Sequence, residues 1–238
     1  MNNKEWQIIN LDNVDSTNNE AKKHCFEPGG KTVIVAKHQT AGRGRRGRTW
    51  QSLEGNLFFS LALEFNLADL GKLVMISALS VLRTIKLLHP SVKANIKWPN
   101  DILLNNKKVC GILLEKGNGD YMIVGIGVNI MQSPQDDGML YPTTSLLQEG
   151  IDTTTTEFLQ HFLPIFSELL LIYEKQKFSQ IRQEWEFSAL GIGKKIEIRQ
   201  DNKIIRGIFL GIDDTGSLLL KTSRNTEKIV AGDVFYIK

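Results

Sequence analysis

The sequence predicts an α+β fold, in which a mixed β-sheet domain flanked by helices precedes a small C-terminal β-barrel. Strand patterns alternate with helical patterns over residues 1–190, whereas residues 191–238 contain only short strand patterns. An apolar fraction of 42% in 238 residues is sufficient for a sizeable core. We therefore predict two domains, residues 1–190 and residues 191–238.

The elements follow in order from local patterns. Strand patterns of the first domain fall at 8–14, 32–37, 56–64, 102–104, 109–115 and 121–130. Helical patterns fall at 19–24, 69–88, 156–176 and 179–189. Asp15, Ser16 and Thr17 are good N-cap candidates for the first helix, and the turn at 105–107 joins two strands into a hairpin. The second domain has strand patterns at 194–199, 204–212, 218–222, 228–230 and 234–237.

Composition excludes several classes of protein. Two cysteines and four scattered histidines indicate neither a disulfide framework nor a zinc cluster. The polar N-terminus is unlike a signal peptide, and charged residues interrupt the most apolar helical patterns. We expect a cytoplasmic protein that does not enter a membrane. A net charge of +3 is too small for a dedicated duplex-binding protein.

Residues 42–50, with the sequence GRGRRGRTW, form what we call the arginine loop. Its glycines let the backbone bend close to a ligand, and its arginines offer fork-shaped donors that match carboxylates and phosphates. Trp50 adds a surface for stacking. The loop alone is equally compatible with two interpretations. It could bind a small anion, or it could be a solvated basic loop or a segment that binds a nucleic acid backbone.

Three further motifs accompany the arginine loop: KWPND at 97–101, KVCGILLE at 108–115 and GIGVN at 125–129. The sequence DSTN precedes them at 15–18. This combination, in this order, closely resembles the biotin protein ligases over almost the whole chain. Each motif alone would be a weak signal, whereas the set is specific.

The resemblance implies a two-step reaction in which biotin and ATP, used with Mg²⁺, form biotinyl-adenylate and pyrophosphate. The adenylate then acylates a lysine of a biotin carboxyl carrier domain, such as that of acetyl-CoA carboxylase. Arg43, Arg45 and Lys108 would hold the two reacting anions together. In the family, the arginine matching Arg43 packs over biotin and the lysine matching Lys108 contacts the reacting groups. The resemblance also assigns contacts with the biotin ring to Ser16, Thr17 and Gln39.

The remaining site residues are expected around the nucleotide and the incoming lysine. Trp50 would stack on adenine, and Asn100 and Asn129 would contact the nucleotide or its magnesium. Asp101 would orient or deprotonate the carrier lysine. Gly111 would let the ligand approach the strand closely. We assign no protein cluster to a metal, because ATP itself would carry most of the magnesium.

Two alternative functions remain open. A lipoate or octanoate protein ligase would use the same adenylate chemistry, but its acyl pocket would not need the arginine loop. A nucleic-acid-binding protein would use the loop differently. The repressors of this family carry a helix-turn-helix domain before the DSTN motif, which here begins at residue 15, so we expect the short form and no DNA binding.

Several of these residues also have a purely structural interpretation. Capping a helix could be the whole role of Ser16 and Thr17. Asp101 could form an Asx turn, and Lys97 and Lys108 could be solvated strand ends. Arg46 and Arg48 could hold the loop through salt bridges. The concentration of glycine and like charge in the arginine loop also suggests that biotin orders it, so that ATP binds after biotin.

Overall fold

The structure, a computed structural model, describes residues 6–24, 29–134, 141–200 and 203–237. A seven-stranded mixed sheet and a five-stranded antiparallel sheet form its framework. The predicted α+β class is therefore confirmed. Neither of the two longest described helices is long and apolar enough to cross a membrane.

The seven-stranded sheet has the order β1-β2-β3-β7-β6-β5-β4. The edge strand β1 pairs with β2 in parallel, and every other pairing in this sheet is antiparallel. Its strands are β1 (Gln7–Val14), β2 (Thr32–Gln39), β3 (Leu57–Glu64), β4 (Ala94–Lys97), β5 (Asp101–Leu104), β6 (Lys107–Lys116) and β7 (Tyr121–Val128).

The helices divide between the two faces of this sheet. The short helix α1 (Thr17–Lys23) packs on one face against Ile34, Ala62 and Ile123. The opposite face joins the main core, where the longer helices pack. These helices are α2 (Leu70–Leu88), α3 (Thr155–Glu174) and α4 (Phe178–Ser188). The face that carries α1 is thus only partly covered, which leaves room for a site.

Strand register places four residues of that less covered face in one row. Lys97 pairs with Asp101, Asp101 pairs with Gly111, and Gly111 pairs with Gly127. Residues directly opposite each other on neighbouring strands point to the same face of a sheet. The row therefore runs from the edge strand β4 toward the centre of the sheet as two charged side chains followed by two glycines.

The second sheet has the order β11-β10-β9-β8-β12, and all its pairings are antiparallel. Its strands are β8 (Lys195–Gln200), β9 (Lys203–Ile212), β10 (Leu218–Lys221), β11 (Thr226–Ile229) and β12 (Asp233–Tyr236). A small C-terminal β unit agrees with the prediction. Closure of this sheet into a barrel stays a prediction, because β11 and β12 are its edges in the part of the chain that the structure describes.

The two sheets contact each other beside the β4–β5 hairpin. The Tyr141 hydroxyl donates a hydrogen bond to the Val234 carbonyl at 2.8 Å, and the Trp98 indole donates to the Gly216 carbonyl at 3.2 Å. The Leu190 amide donates to the Ile96 carbonyl at 2.8 Å. The apolar residues of both sheets belong to one continuous core. The edge strand β12 is thereby held against the site face.

Strand β4 is not predicted by the sequence pattern. Its four residues follow the exposed turn at the end of α2, and the strand pattern that the sequence shows in this region begins only at residue 102. A strand of this length offers too few residues for a clear alternating pattern. Its pairing with β5 and its packing against α2 stabilise it instead.

Candidate active site

A cavity of about 330 Å³ opens on the sheet face that carries α1. Its walls come from the arginine loop, the β4–β5 hairpin, strands β6 and β7, and the edge strand β12. All eleven residues predicted for the site line this cavity: Ser16, Thr17, Gln39, Arg43, Arg45, Trp50, Asn100, Asp101, Lys108, Gly111 and Asn129. Folding therefore brings the predicted residues together, although their individual roles stay predictions.

The floor of the cavity is a glycine pair covered by Trp50. A Cβ atom on Gly111 would lie 2.8 Å from the indole, and one on Gly127 would overlap it. The two glycines face each other across β6 and β7, so the sheet has a shallow slot at this point. We expected the ligand itself to approach Gly111, but in this structure Trp50 and Lys108 occupy that space.

A polar corner lies at the start of α1. The amide and the hydroxyl of Thr17 both donate to Gln39 Oε1, at 2.9 and 3.1 Å, and Ser16 caps the helix by accepting from the Asn18 amide at 3.2 Å. The Ser60 hydroxyl lies 2.7 Å from the Thr17 hydroxyl and 2.6 Å from Asn18 Oδ1. The predicted cap is confirmed, and it leaves Ser16 on the cavity wall.

Two further residues of this corner, Asn18 and Ser60, were not predicted as site residues from the sequence. Asn18 is 3% exposed, and its Nδ2 has no hydrogen-bond partner among the described residues. Its side chain lies against Gly125, where a Cβ atom would overlap the amide. Ser60 could have been found, because it is the only polar residue in the buried run at 57–63. An amide nitrogen that is buried and unpaired can donate to a ligand.

Arg43 points toward the α1 side of the cavity. Its guanidinium donates to Asn19 Oδ1 at 2.8 Å and to both carboxylate oxygens of Glu115 at 3.2 Å. Burial would raise the pKa of Glu115, but hydrogen bonds from Lys22 and Arg43 outweigh burial and lower this pKa. The pair with Glu115 ties the first half of the arginine loop to β6.

Arg45 points into the opposite part of the cavity. Its Nη1 donates to Asn100 Oδ1 at 3.0 Å, and Asn100 in turn donates to the Ile112 carbonyl at 2.7 Å. Burial lowers the pKa of Arg45, although the charges of Asp101 and Asp233 oppose that shift. A guanidinium has five donors, so Arg45 retains donors for an incoming anion.

Arg46 and Arg48 turn away from the cavity floor toward the C-terminal sheet. Both donate to the carboxylate of Asp233 on β12, at 3.1 Å from Arg46 and 2.6 Å from Arg48. Burial would raise the pKa of Asp233, but the hydrogen bond and charge of Arg48, followed by the charges of Arg46 and Arg45, lower it. The structural interpretation of these two arginines as salt-bridge residues is confirmed.

The two lysines of the site differ in their surroundings. Lys108 forms an ion pair with Asp101 at 2.8 Å and lies 5.4 Å from the centroid of the Trp50 ring. Lys97 is 2% exposed, so the interpretation of Lys97 as a solvated strand end is wrong. Tyr141 and two aromatic residues of β12, Phe235 and Tyr236, surround its ammonium, and all three are remote in sequence.

Asn129 lies 2% exposed at the end of β7 and donates from Nδ2 to the Thr144 carbonyl at 3.0 Å. Asp101 and Asp233 are the carboxylates on the cavity wall. No group of three His, Cys, Asp or Glu side chains suited to a metal ion occurs within the described ranges.

Two family models match the chain. Residues 11–129 match the model described as "Biotin/lipoate A/B protein ligase family", and residues 191–236 match "Biotin protein ligase C terminal domain". The chain belongs to the biotin/lipoate protein ligase family. Because it also matches the C-terminal domain of biotin protein ligases, it is placed among the biotin protein ligases within that family.

Individual relatives agree with this assignment. The chain is 36% identical to a biotin--[acetyl-CoA-carboxylase] ligase from Paracoccus denitrificans, covering 95% of this chain and 99% of that protein. It is 40% identical to the bifunctional ligase/repressor BirA of Bacillus subtilis over 85% of this chain, and it spans 65% of that relative's length. The biotin protein ligase from Aquifex aeolicus, solved in complex with biotin and ATP, superposes with a TM-score of 0.85 at 32% identity, covering 96% of this chain and 97% of that one.

Proposed function

We propose that this protein is an ATP-dependent biotin--[acetyl-CoA-carboxylase] ligase that works in two steps within the 330 Å³ cavity. The observation that carries the proposal is the position of Arg45 and Lys108 in one cavity that also contains the polar corner at α1. Such a cavity suits a molecule with a polar ring at one end and a carboxylate at the other.

In the first step a carboxylate oxygen of biotin attacks the α-phosphorus of ATP. The bond between this phosphorus and the bridging oxygen breaks, and pyrophosphate leaves with the electron pair. Two anions must approach each other, so fixed cations are needed where negative charge accumulates. Arg43, Arg45 and Lys108 are assigned to this task, with Asn100 holding the Arg45 guanidinium in place.

In the second step the amine of a carrier lysine attacks the acyl carbon of biotinyl-adenylate. An amide bond forms, AMP leaves, and the amine loses its proton. Asp101 is assigned to orient this amine and to accept the proton. Asp101 is paired with Lys108 in this structure, so the assignment requires Lys108 to move toward the substrate anion.

The biotin ring is assigned to the polar corner. Its ureido group offers two N–H donors and one carbonyl acceptor, which need hydrogen-bond partners once the ring leaves water for the cavity. Gln39 and Ser16 supply oxygens, Thr17 supplies a hydroxyl, and the unpaired Nδ2 of Asn18 is the donor for the ureido carbonyl. A lipoyl or octanoyl chain has no such carbonyl, so this corner favours biotin over the other acids.

The remaining residues are assigned around the nucleotide and the loop. Trp50 provides the surface for adenine, and Asn100 and Asn129 contact the nucleotide or its magnesium. Gly111 leaves space for Trp50 on the floor. Arg43 holds the arginine loop over the biotin through its pair with Glu115. Mg²⁺ would enter with the phosphates of ATP. We also infer that residues 1–190 and 191–238 form two domains.

Intact mass spectrometry of an apo biotin carrier domain tests this function. Incubation with the protein, biotin and Mg·ATP is expected to add one biotinyl group to the carrier, and omission of ATP is expected to prevent it. Parallel reactions contain lipoate or octanoate in place of biotin. Modification with either of these acids but not with biotin would move the protein to the neighbouring ligase class, and no modification with any acid would overturn the proposal.

A further inference from the structure

Lys97 is a buried cation to which the two steps above assign no role. It is the last residue of β4, it lines the cavity, and it is 2% exposed. Register places it directly opposite Asp101, so both side chains point to the site face. Strand β4 is the edge of the seven-stranded sheet, at the end opposite to β1 and β2.

Three aromatic rings surround the Lys97 ammonium. Its Nζ lies 2.7 Å from the centroid of the Tyr141 ring and 5.9 Å from the centroids of both Phe235 and Tyr236. The hydroxyls of the two tyrosines donate to backbone carbonyls of Val234 and Leu190. Nζ itself has no hydrogen-bond partner among the described residues.

The charges near Lys97 do not compensate for its burial. Burial is the largest effect and lowers the pKa of Lys97 to about 7; Asp101 and Asp233 oppose this shift, whereas Lys108 and Arg48 add to it. Both carboxylates are already paired, Asp101 with Lys108 and Asp233 with two arginines. An ammonium has three N–H donors, and leaving them unpaired in a buried position is costly.

The position of Lys97 indicates which anion would pair with it. The polar corner lies where β1 and β2 end, and Arg45, Asn100 and Lys108 lie near β5 and β6. Lys97 lies beyond them, on the edge strand β4. If biotin extends from the polar corner, its carboxylate meets the α-phosphate near Arg45 and Lys108. The next groups in that direction are the β- and γ-phosphates of ATP.

We propose that Lys97 binds the β- and γ-phosphates of ATP and stabilises the pyrophosphate that leaves during adenylate formation. This inference rests on the proposed function. Lys97 keeps its proton throughout: the carboxylate-to-α-phosphorus bond forms, the bond to the bridging oxygen breaks, and the negative charge that develops on pyrophosphate faces the ammonium. The β- and γ-phosphates thereby supply the acceptors that the three N–H groups otherwise lack.

The test separates the two half-reactions in two variants. Lys97→Met is unbranched and one atom shorter than lysine and carries no charge, whereas Lys97→Arg retains the charge. Lys93→Met is the matched control, because Lys93 is exposed and immediately precedes β4. Biotin-dependent release of pyrophosphate measures the first step. Transfer from synthetic biotinyl-5'-adenylate to the apo carrier measures the second step and also reports correct folding. Calorimetry with pyrophosphate alone measures binding without turnover.

For Lys97→Met we expect pyrophosphate release to fall about 100-fold, with a higher KM for ATP, because one preorganised donor is lost. Pyrophosphate binding should weaken. Transfer from the adenylate should stay within about twofold of wild type, because an interaction confined to the first step does not stabilise the transition state of the second. Lys97→Arg should recover part of the first step, and Lys93→Met should behave as wild type.

Three results would overturn the proposal. In Lys97→Met, pyrophosphate release could be unchanged, or the loss could be confined to the transfer step. The third result is an equal loss in both steps of Lys97→Met with no recovery in Lys97→Arg. The second result would assign Lys97 to the carrier amine instead. If the wild-type protein itself releases no pyrophosphate with biotin and does not use the adenylate, then the proposed function fails rather than the role of Lys97.

Discussion

The two halves of the arginine loop contain the same residue types but have different surroundings. Arg43 and Arg45 turn toward the cavity and meet Glu115, Asn19 and Asn100. Arg46 and Arg48 turn toward the C-terminal sheet, where both donate to Asp233. Four like charges in one short segment thus contact two different parts of the structure, the seven-stranded sheet with α1 and the edge strand β12.

Backbone geometry explains this division. The Trp50 amide donates to the Gly42 carbonyl at 3.0 Å, and the Gly44 amide donates to the Arg48 carbonyl at 2.7 Å, so the loop is closed like a hairpin. At its tip Arg46 and Gly47 have φ values of 58° and 73°. A left-handed conformation at a non-glycine residue is unfavourable by about 1 kcal/mol or more. The reversal places neighbouring arginines on opposite sides.

The largest expected effect is the difference between Arg45→Ala and Arg46→Ala in the rate of biotin-dependent pyrophosphate release. Arg45 faces the proposed reacting anions, so its removal should lower the rate of biotin-dependent pyrophosphate release about 100-fold or more. Arg46 is one residue away and faces Asp233, so its removal should change that rate by about threefold at most, as for a surface ion pair. A steady-state pyrophosphate assay measures both variants.

Similar losses in the two variants would show that the loop acts only through its total charge. The same assay on Arg45→Lys is a useful control. Lysine retains the charge but not the fork-shaped donors, so we expect only partial activity.

A smaller effect, on the pH dependence of the free energy of unfolding, should distinguish Lys97 from the arginines, which form ion pairs or hydrogen bonds. Below pH 7 both the folded and the unfolded state carry the Lys97 charge, so the cost of burying it is fully present. Between the folded pKa of about 7 and the ordinary value of 10.5, the unfolded state binds more protons. The free energy of unfolding should therefore rise with pH across that interval because of Lys97.

Lys97→Met should accordingly gain stability relative to wild type at pH 6 and lose that gain as the pH rises. From pH 6 to pH 9 we expect the difference in free energy of unfolding to shrink on the order of 2 kcal/mol, or roughly 5 °C in Tm. Thermal unfolding of both proteins in matched buffers measures it. If the difference in free energy of unfolding between the two proteins is constant from pH 6 to pH 9, then burial does not lower the pKa of Lys97.

The smallest effect is expected for Asp233→Asn, which removes the carboxylate shared by Arg46 and Arg48 while retaining its shape. The ion pairs are partly exposed, so their loss should lower the free energy of unfolding by about 1 kcal/mol. The loop would be less firmly held, so KM for biotin and ATP should rise about threefold. The kcat should change little, because binding of the ground state and of the transition state would weaken equally.

A double-mutant cycle of Asp233→Asn with Arg48→Ala checks this account. If Arg48 acts through Asp233, the combined loss should be smaller than the sum of the single losses. Additive losses would mean that Arg48 acts on the cavity independently. The predicted binding order, in which biotin orders the loop before ATP, could be measured in the same proteins and stays a prediction.

Local sequence patterns were sufficient to predict most strands and helices and the residues that line the cavity. Alternating apolar residues predicted the long strands, and helical spacing predicted α2 to α4. The family motifs predicted residues that line one cavity. These features depend on neighbours in sequence or on a motif that can be read directly.

What could not be predicted depends on contacts between distant segments. Arg48 meets Asp233, 185 residues later in the chain. Lys97 is buried by Tyr141 and the aromatic residues of β12. Gly127 accommodates Trp50 only because β6 and β7 pair in a particular register. A lysine at a strand end, read alone, is typical of a solvated position.

Product analysis without a carrier tests the central claim most directly. The wild-type protein is mixed with biotin and ATP labelled at the α-phosphate, and the small molecules are separated and quantified. The account predicts biotinyl-5'-adenylate carrying the label, together with an equal amount of pyrophosphate. Formation of ADP and phosphate, or the absence of any biotin-dependent product, would contradict it.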